Sequence, residues 1–173
     1  MKIELGRHFL LKYSKNNELY AFVTQLCIDG LRQKLRCVVA IPRASIKELK
    51  QVLLKASNIS KTELLEDKSI VLLAAEDIYL DNGRFSSKAM LEKLGVLIEE
   101  AIDSGYKGVC GIGEMSWLLG DGEGLEGVTD YEVMINSLES AVNACFVCAY
   151  REELFPNELL KYMERVHHEV IEV

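Results

Sequence analysis

The chain has 173 residues, 49% of them hydrophobic and 27% charged, a size and balance that suit one globular domain and argue against disorder. Lys and Arg total 20 against 27 Asp and Glu, a formal charge of −7, which disfavours nucleic-acid binding because phosphate recognition rests on clustered cations. The longest apolar runs, Ile70 to Ala75 and Ala144 to Tyr150, fall far short of the roughly 18 residues that suggest a membrane span. The start, Met1-Lys2-Ile3-Glu4-Leu5-Gly6-Arg7, has no signal-peptide core, so a cytoplasmic protein without a membrane partner is expected.

Strand-like and helix-like patterns alternate along the chain. His8 to Tyr13 predicts a first strand, and Ser14-Lys15-Asn16-Asn17 a polar turn with helix-capping residues. Leu19, Phe22, Val23, Leu26 and Gly30 recur at helical spacing and predict a helix of about 14 residues ending near Gly30. Leu35 to Ile41 predicts a second strand closed by Pro42, and Ser45 with Glu48 a capping box opening the next helix, whose buried stripe is Leu49, Val52 and Leu53. Asn58 to Lys68 reads as an irregular loop. Ile70 to Ala75, apolar on both faces, predicts a strand at the centre of a parallel sheet.

Asp81-Asn82-Gly83 signals a turn. A long helix starts at Ser86 or Ser87, runs through Met90, Leu94 and Ile98, and stops at Gly105. Gly108 to Gly113 predicts a fourth strand, followed by a glycine-rich segment from Gly120 to Gly127. Thr129 to Val142 predicts a helix with Met134, Ile135 and Leu138 inward, Ala144 to Tyr150 a fifth strand, and Pro156 to His167 a last helix. Five strands separated by helices predict an α/β fold: a mostly parallel five-stranded sheet with helices on both faces.

The five cysteines, at 27, 37, 110, 145 and 148, sit mostly in apolar runs, which suits free thiols better than a disulfide framework. Cys145 and Cys148 lie three apart on one predicted strand and therefore point to opposite faces. No metal ligand set and no cofactor is expected. His8 opens the first strand and the last helix runs back toward it, so His8 and His168 are expected to be neighbours, with a helix-dipole role as the default.

Ligands of such sheets bind outside the carboxyl ends of the strands. Those ends carry Tyr13, then Glu76 and Tyr79, then Glu114, Met115 and Trp117, then Tyr150-Arg151-Glu152-Glu153. A phosphate loop requires G-x-x-x-x-G-K-[ST], and the turn after Tyr13 contains no glycine, which argues against nucleotide hydrolysis. Glu114 and Glu76 could form a glycosidase-type acid/base pair, but two solvated carboxylates are the simpler reading. Trp117, the single tryptophan, suits either a pocket wall or a structural lid.

Several segments together resemble a known family: His8-Phe-Leu-Leu-Lys-Tyr13, Gly30-Leu-Arg32 with Cys37 beyond, Tyr79 with Gly83 and Phe85, Gly105-Tyr-Lys-Gly108, Gly113-Glu-Met-Ser-Trp117, Tyr131-Glu132, Tyr150, Phe155-Pro156 and His168. The series resembles the MEDS domain, the methanogen/methylotroph sensory domain first associated with the dichloromethane-responsive repressor. The resemblance runs from about residue 7 to 171 and implies a RecA/KaiC-like core that has lost the nucleotide P-loop. It also implies sensing of small organic, hydrocarbon-derived or C1 molecules in signalling and transcription proteins. Lys34-Leu35 and Glu169 depart from the usual family residues.

The resulting expectation is a non-catalytic ligand-sensing domain. Tyr13, Tyr79, Met115, Trp117 and Tyr131 would line its pocket, and Glu76, Glu114 and Glu132 would orient the ligand. Tyr131 and Glu132 enter by the resemblance. No helix-turn-helix or kinase segment is evident, so output is expected through a signalling or regulatory partner, and a homo-oligomer is compatible. The alternatives are a small hydrolase or transferase using Glu114 and a ligand-free interaction adaptor.

Overall fold

The computed structural model describes residues 3–120, 124–141 and 143–173; the side chains at 65, 124–126 and 138–141 lie outside the description. The strands are β1 (Arg7–Tyr13), β2 (Arg36–Ile41), β3 (Ile70–Ala74), β4 (Leu80–Asp81), β5 (Arg84–Phe85), β6 (Val109–Glu114), β7 (Ala144–Arg151) and β8 (Glu169–Glu172). The helices are α1 (Asn16–Arg32), α2 (Arg43–Lys55), α3 (Lys61–Leu65), α4 (Ala75–Tyr79), α5 (Ser87–Asp103), α6 (Gly124–Ala141) and α7 (Asn157–Val166). Six strands form one sheet in the order β3-β2-β6-β7-β1-β8, every pair parallel. β4 and β5 form a separate antiparallel ribbon, whose turn places Asn82 and Gly83 at φ of 50° and 77°, the left-handed pair an Asn-Gly hairpin requires.

The topology follows from handedness. Right-handed crossovers that step from β1 to β2 to β3 must place their helices on one face, and those that return through β6 and β7 to β8 must use the other. Accordingly α1 to α3 cover one face and α4 to α7 the opposite one. Strand alternation sorts the side chains between two cores. Phe9, Leu11, Cys37, Val39, Cys110, Ile112, Cys145 and Val147 pack beneath α1 and α2, whereas Leu10, Val38, Ala40, Val109, Phe146, Cys148 and Tyr150 pack beneath α5 to α7. Cys145 and Cys148 thus face opposite ways, as their spacing predicts.

Several expectations need correction. The sheet has six strands instead of five, because Glu169–Glu172 leaves α7 as the short strand β8 and pairs with β1. β3 is an edge strand and not the centre of the sheet; Val71, Leu72 and Leu73 are only half-buried. α2 begins at Arg43, two residues before the expected Ser45 cap, because the Pro42 carbonyl already accepts the Ser45 amide at 2.8 Å. The stretch Asn58 to Lys68 is not wholly irregular, since Ser60 and Glu63 cap the short helix α3 reciprocally. In addition, α6 starts before the expected Thr129, Met134 is exposed on it while Ile135 is buried, and Leu138 lies outside the described side chains. The glycine-rich segment falls in part on residues 121–123, which are not described.

Candidate functional site

The eight sequence-selected residues fall into separate places. Tyr13 and Glu114 end β1 and β6 and meet on the α1 face, where Tyr13 Oη donates to Glu114 Oε1 at 2.8 Å. The Ser116 amide and hydroxyl donate to Glu114 Oε2 at 3.0 and 2.6 Å. Glu114 is fully buried. Burial pushes its carboxyl above the usual range, while Ser116 and Tyr13 pull in the opposite direction. Glu76 sits elsewhere: its carboxylate accepts the Arg43 amide at 3.1 Å and caps the first turn of α2. Met115 is buried within the core beneath α5 and α6.

Tyr79, Trp117 and Tyr131 do come together, on the α5 face. Tyr79 stacks on Trp117 with ring centroids 4.6 Å apart and planes 12° from parallel, and Tyr131 meets Tyr79 edge-on at 6.2 Å. Phe85, delivered by the β4–β5 ribbon, closes the group at 4.9 Å from Trp117 and 5.6 Å from Tyr131. Offset and edge-to-face pairs of this kind each add about 0.5–1.5 kcal/mol beyond area burial. Trp117 Nε1 is buried, and no acceptor among the described residues bonds to it.

Beneath this aromatic group lies an apolar cavity of about 30 Å³ between the sheet and α5, lined in part by Ala40, Tyr79, Leu94, Gly111, Tyr131 and Cys148. Two glycines open the space. A Cβ at Gly113 would collide with Tyr79 Oη, and one at Gly111 would stand 3.0 Å from the Phe146 ring.

Glu132 belongs to a different constellation, also on this face and buried beneath α6 and α7. Its Oε1 accepts from Tyr150 Oη at 2.5 Å. Its Oε2 lies 3.2 Å from His8 Nε2 and 3.4 Å from His167 Nε2, and His8 Nε2 is 3.3 Å from Cys148 Sγ. Burial alone would raise the Glu132 carboxyl, but the two imidazoles hold it well below the usual carboxylate range. Burial pushes His8 below its ordinary range against the opposing pull of Glu132. His8 and His168 are neighbours as expected, through one backbone bond and one backbone-to-ring bond: the His168 amide donates to the His8 carbonyl at 2.9 Å, and the His8 amide to His168 Nδ1 at 3.0 Å. The ring that joins the His8 ring is that of His167, with centroids 4.0 Å apart. Sequence reasoning did not select His167, Cys148 or Asn136. A usable signal was Glu132 and Asn136 at i and i+4 on one face of α6.

The fold and this site define a class first. The chain is an α/β protein of the RecA/KaiC-like type in which only Ser14 and Lys15 separate β1 from α1, with no glycine between them. Over 98% of its length it is similar to the flagellar accessory protein FlaH from Methanocaldococcus jannaschii, with a TM-score of 0.65, 11% identity and 72% of that chain covered. It is likewise similar to a KaiC-like protein from Pyrococcus horikoshii, with a TM-score of 0.63, 14% identity, and coverage of 98% of this chain and 72% of that one. No curated protein matches by sequence. The sequence model of the MEDS family, the MEthanogen/methylotroph, DcmR Sensory domain, matches residues 7–168. The chain therefore belongs to the MEDS family, a family of sensory domains. No helix among the described residues is long and apolar enough to cross a membrane.

Proposed function

We propose that this domain senses a small organic molecule, of the C1 or hydrocarbon-derived class, without catalysis, and passes its state to a partner protein in signal transduction or transcriptional regulation. The observation that carries the reading is the apolar cavity beneath Tyr79 and Tyr131. At about 30 Å³ it holds roughly two water-sized bodies, so its natural occupants are molecules of a few heavy atoms. Its walls offer dispersion contacts and almost no charge, which selects an apolar or weakly polar ligand. Glu114 is a poor candidate for acid/base work, because both its oxygens are engaged by Tyr13 and Ser116. The glycine-free turn after β1 lacks the amide cradle that holds a nucleotide's phosphates.

Trp117 supplies the readout. It stacks on Tyr79, which lines the cavity, and it is the single indole in the chain. The test is a thermal-shift and Trp117-emission screen with dichloromethane, methanol, methylated amines, short hydrocarbons and ATP. A ligand at 100 times its Kd stabilises the native state by about 2.7 kcal/mol, a shift of several degrees for a domain of this size. Saturable changes with one of the small organic molecules, and none with ATP, are expected. Magnesium-dependent ATP binding in the low micromolar range, with silence from all of the small molecules, would overturn the reading.

A further inference from the structure

We propose that His8, Glu132, Cys148 and His167 form a binding site for one divalent transition-metal ion, zinc by donor type, beneath α6 and α7. The proposal does not depend on the ligand-sensing reading. The four donor atoms come from β1, α6, β7 and the end of α7, are all buried, and lie within 4.8 Å of one another.

Geometry is the first support. Tetrahedral zinc holds nitrogen and oxygen at about 2.0–2.2 Å and sulfur at about 2.3 Å, so neighbouring ligand atoms stand about 3.3–3.6 Å apart. Three of the separations here already match or nearly match: 3.2 Å from His8 Nε2 to Glu132 Oε2, 3.4 Å from His167 Nε2 to the same oxygen, and 3.3 Å from His8 Nε2 to Cys148 Sγ. The widest separation, within 4.8 Å, closes to a tetrahedral edge with side-chain movement of about 1 Å.

The outer partners supply the second support, because they determine where the ring protons sit. Asn136 Nδ2 donates to the Val166 carbonyl at 3.0 Å, which turns its Oδ1 toward His8 Nδ1, 3.0 Å away. An amide oxygen only accepts, so His8 carries its proton on Nδ1. His167 Nδ1 lies 2.7 Å from the Met163 carbonyl and carries its proton for the same reason. Both rings therefore turn Nε2 toward the Glu132 carboxylate. Holding a histidine by its far nitrogen is how proteins orient metal ligands, and Tyr150 Oη performs the matching task for Glu132 through Oε1.

Charge is the third. Glu132 Oε2 and His167 Nε2 are buried, and neither makes a hydrogen bond within the described residues, an expensive arrangement in a low-dielectric interior. One divalent ion against a carboxylate and a thiolate would give a neutral centre with all four donors engaged. A mixed nitrogen, sulfur and oxygen set suits zinc over magnesium or calcium, which prefer oxygen alone.

The experiment is reconstitution of the whole chain, stripped with chelator, by zinc or by cobalt(II). One zinc per chain is expected, with a raised Tm. Cobalt should give the intense visible bands of a tetrahedral site and a thiolate-to-cobalt charge-transfer band. Cys148→Ser should remove the charge-transfer band, and His167→Asn should lower zinc affinity by at least tenfold. Cys145→Ser, on the opposite face of β7, should change neither. Failure of the wild-type chain to take up either ion, or a cobalt spectrum that lacks the thiolate band, would overturn the site regardless of whether the variants fold.

Discussion

The two faces of one sheet are built to different purposes. Beneath α1 and α2, Leu11, Val23, Cys27, Ile41, Leu49, Leu53 and Ala149 are all fully excluded from solvent, and apolar side chains fill the layer except at its carboxyl edge, where Tyr13 meets the buried carboxyl of Glu114. Beneath α5 to α7 the same strands carry stacked aromatics, an apolar cavity and a buried His8–Glu132–His167 group. The first face stabilises by burial and packing, worth about 25 cal/mol per Å² of apolar surface. The second gives up part of that packing, since a cavity loses dispersion contacts and a buried ionisable group costs desolvation. A parallel sheet covered on both faces can thus hold its shape with one core while the other carries a cavity and buried polar groups.

The contrast can be broken at several points. The largest effect is expected on the dry face: Leu53→Ala should cost about 2–5 kcal/mol in urea unfolding and leave Trp117 emission unchanged. A smaller loss is expected for Gly113→Ala, whose Cβ collides with Tyr79 Oη. Displacing Tyr79 should cost about 1–3 kcal/mol, as overpacking does, and should also shift Trp117 emission by breaking the stack. Were the emission unchanged, the coupling between cavity and indole would fail. Ala40→Val, which intrudes on the cavity, should cost no more than the low end of the about 1–3 kcal/mol of overpacking, because the cavity receives the added carbons, while abolishing the ligand-induced thermal shift. Retained binding in that variant would place the ligand elsewhere.

The smallest effect is pH-dependent. Burial raises the Glu114 carboxyl above its unfolded value, so the folded state holds this proton more tightly than the unfolded chain does. Glu114 then favours folding most at pH below its unfolded value, near 4.5, and loses that contribution as pH rises through its higher folded value. Urea unfolding of wild type and Glu114→Gln should therefore show the wild type gaining relative to the variant as pH falls from 7 toward 4.5. A difference that stays flat would mean that Ser116 and Tyr13 offset the burial.

Much of this was legible in the chain itself. The apolar strands and the helical stripes through Leu19, Val23 and Leu26 or Met90, Leu94 and Ile98 mark an α/β fold, because period and burial are local properties. The opposed faces of Cys145 and Cys148 follow from strand alternation alone, and the Asn82-Gly83 turn from left-handed backbone preference. Strand order was different. Nothing in Ile70 to Ala75 says edge or centre, since that depends on which strand pairs outside it, and none among the described residues does.

The candidate sites divide in the same way. Carboxyl-end positions could be read from the chain, but not the face on which each side chain would lie, so Tyr13 and Glu114 were grouped with Tyr79 and Trp117 although the sheet separates them. The histidine cluster was still less accessible. His8, Glu132, Cys148 and His167 are scattered over 160 positions and are brought together by β1–β7 pairing, the docking of α6 and the turn at the end of α7. The sequence by itself determined the long strands and helices, most of their apolar faces and the missing glycine loop, which are set by neighbours a few residues apart, but not the short elements α3 and β8. Only the tertiary structure decided which distant polar groups share one buried space, because that convergence is a property of packing across the sheet and not of any segment alone.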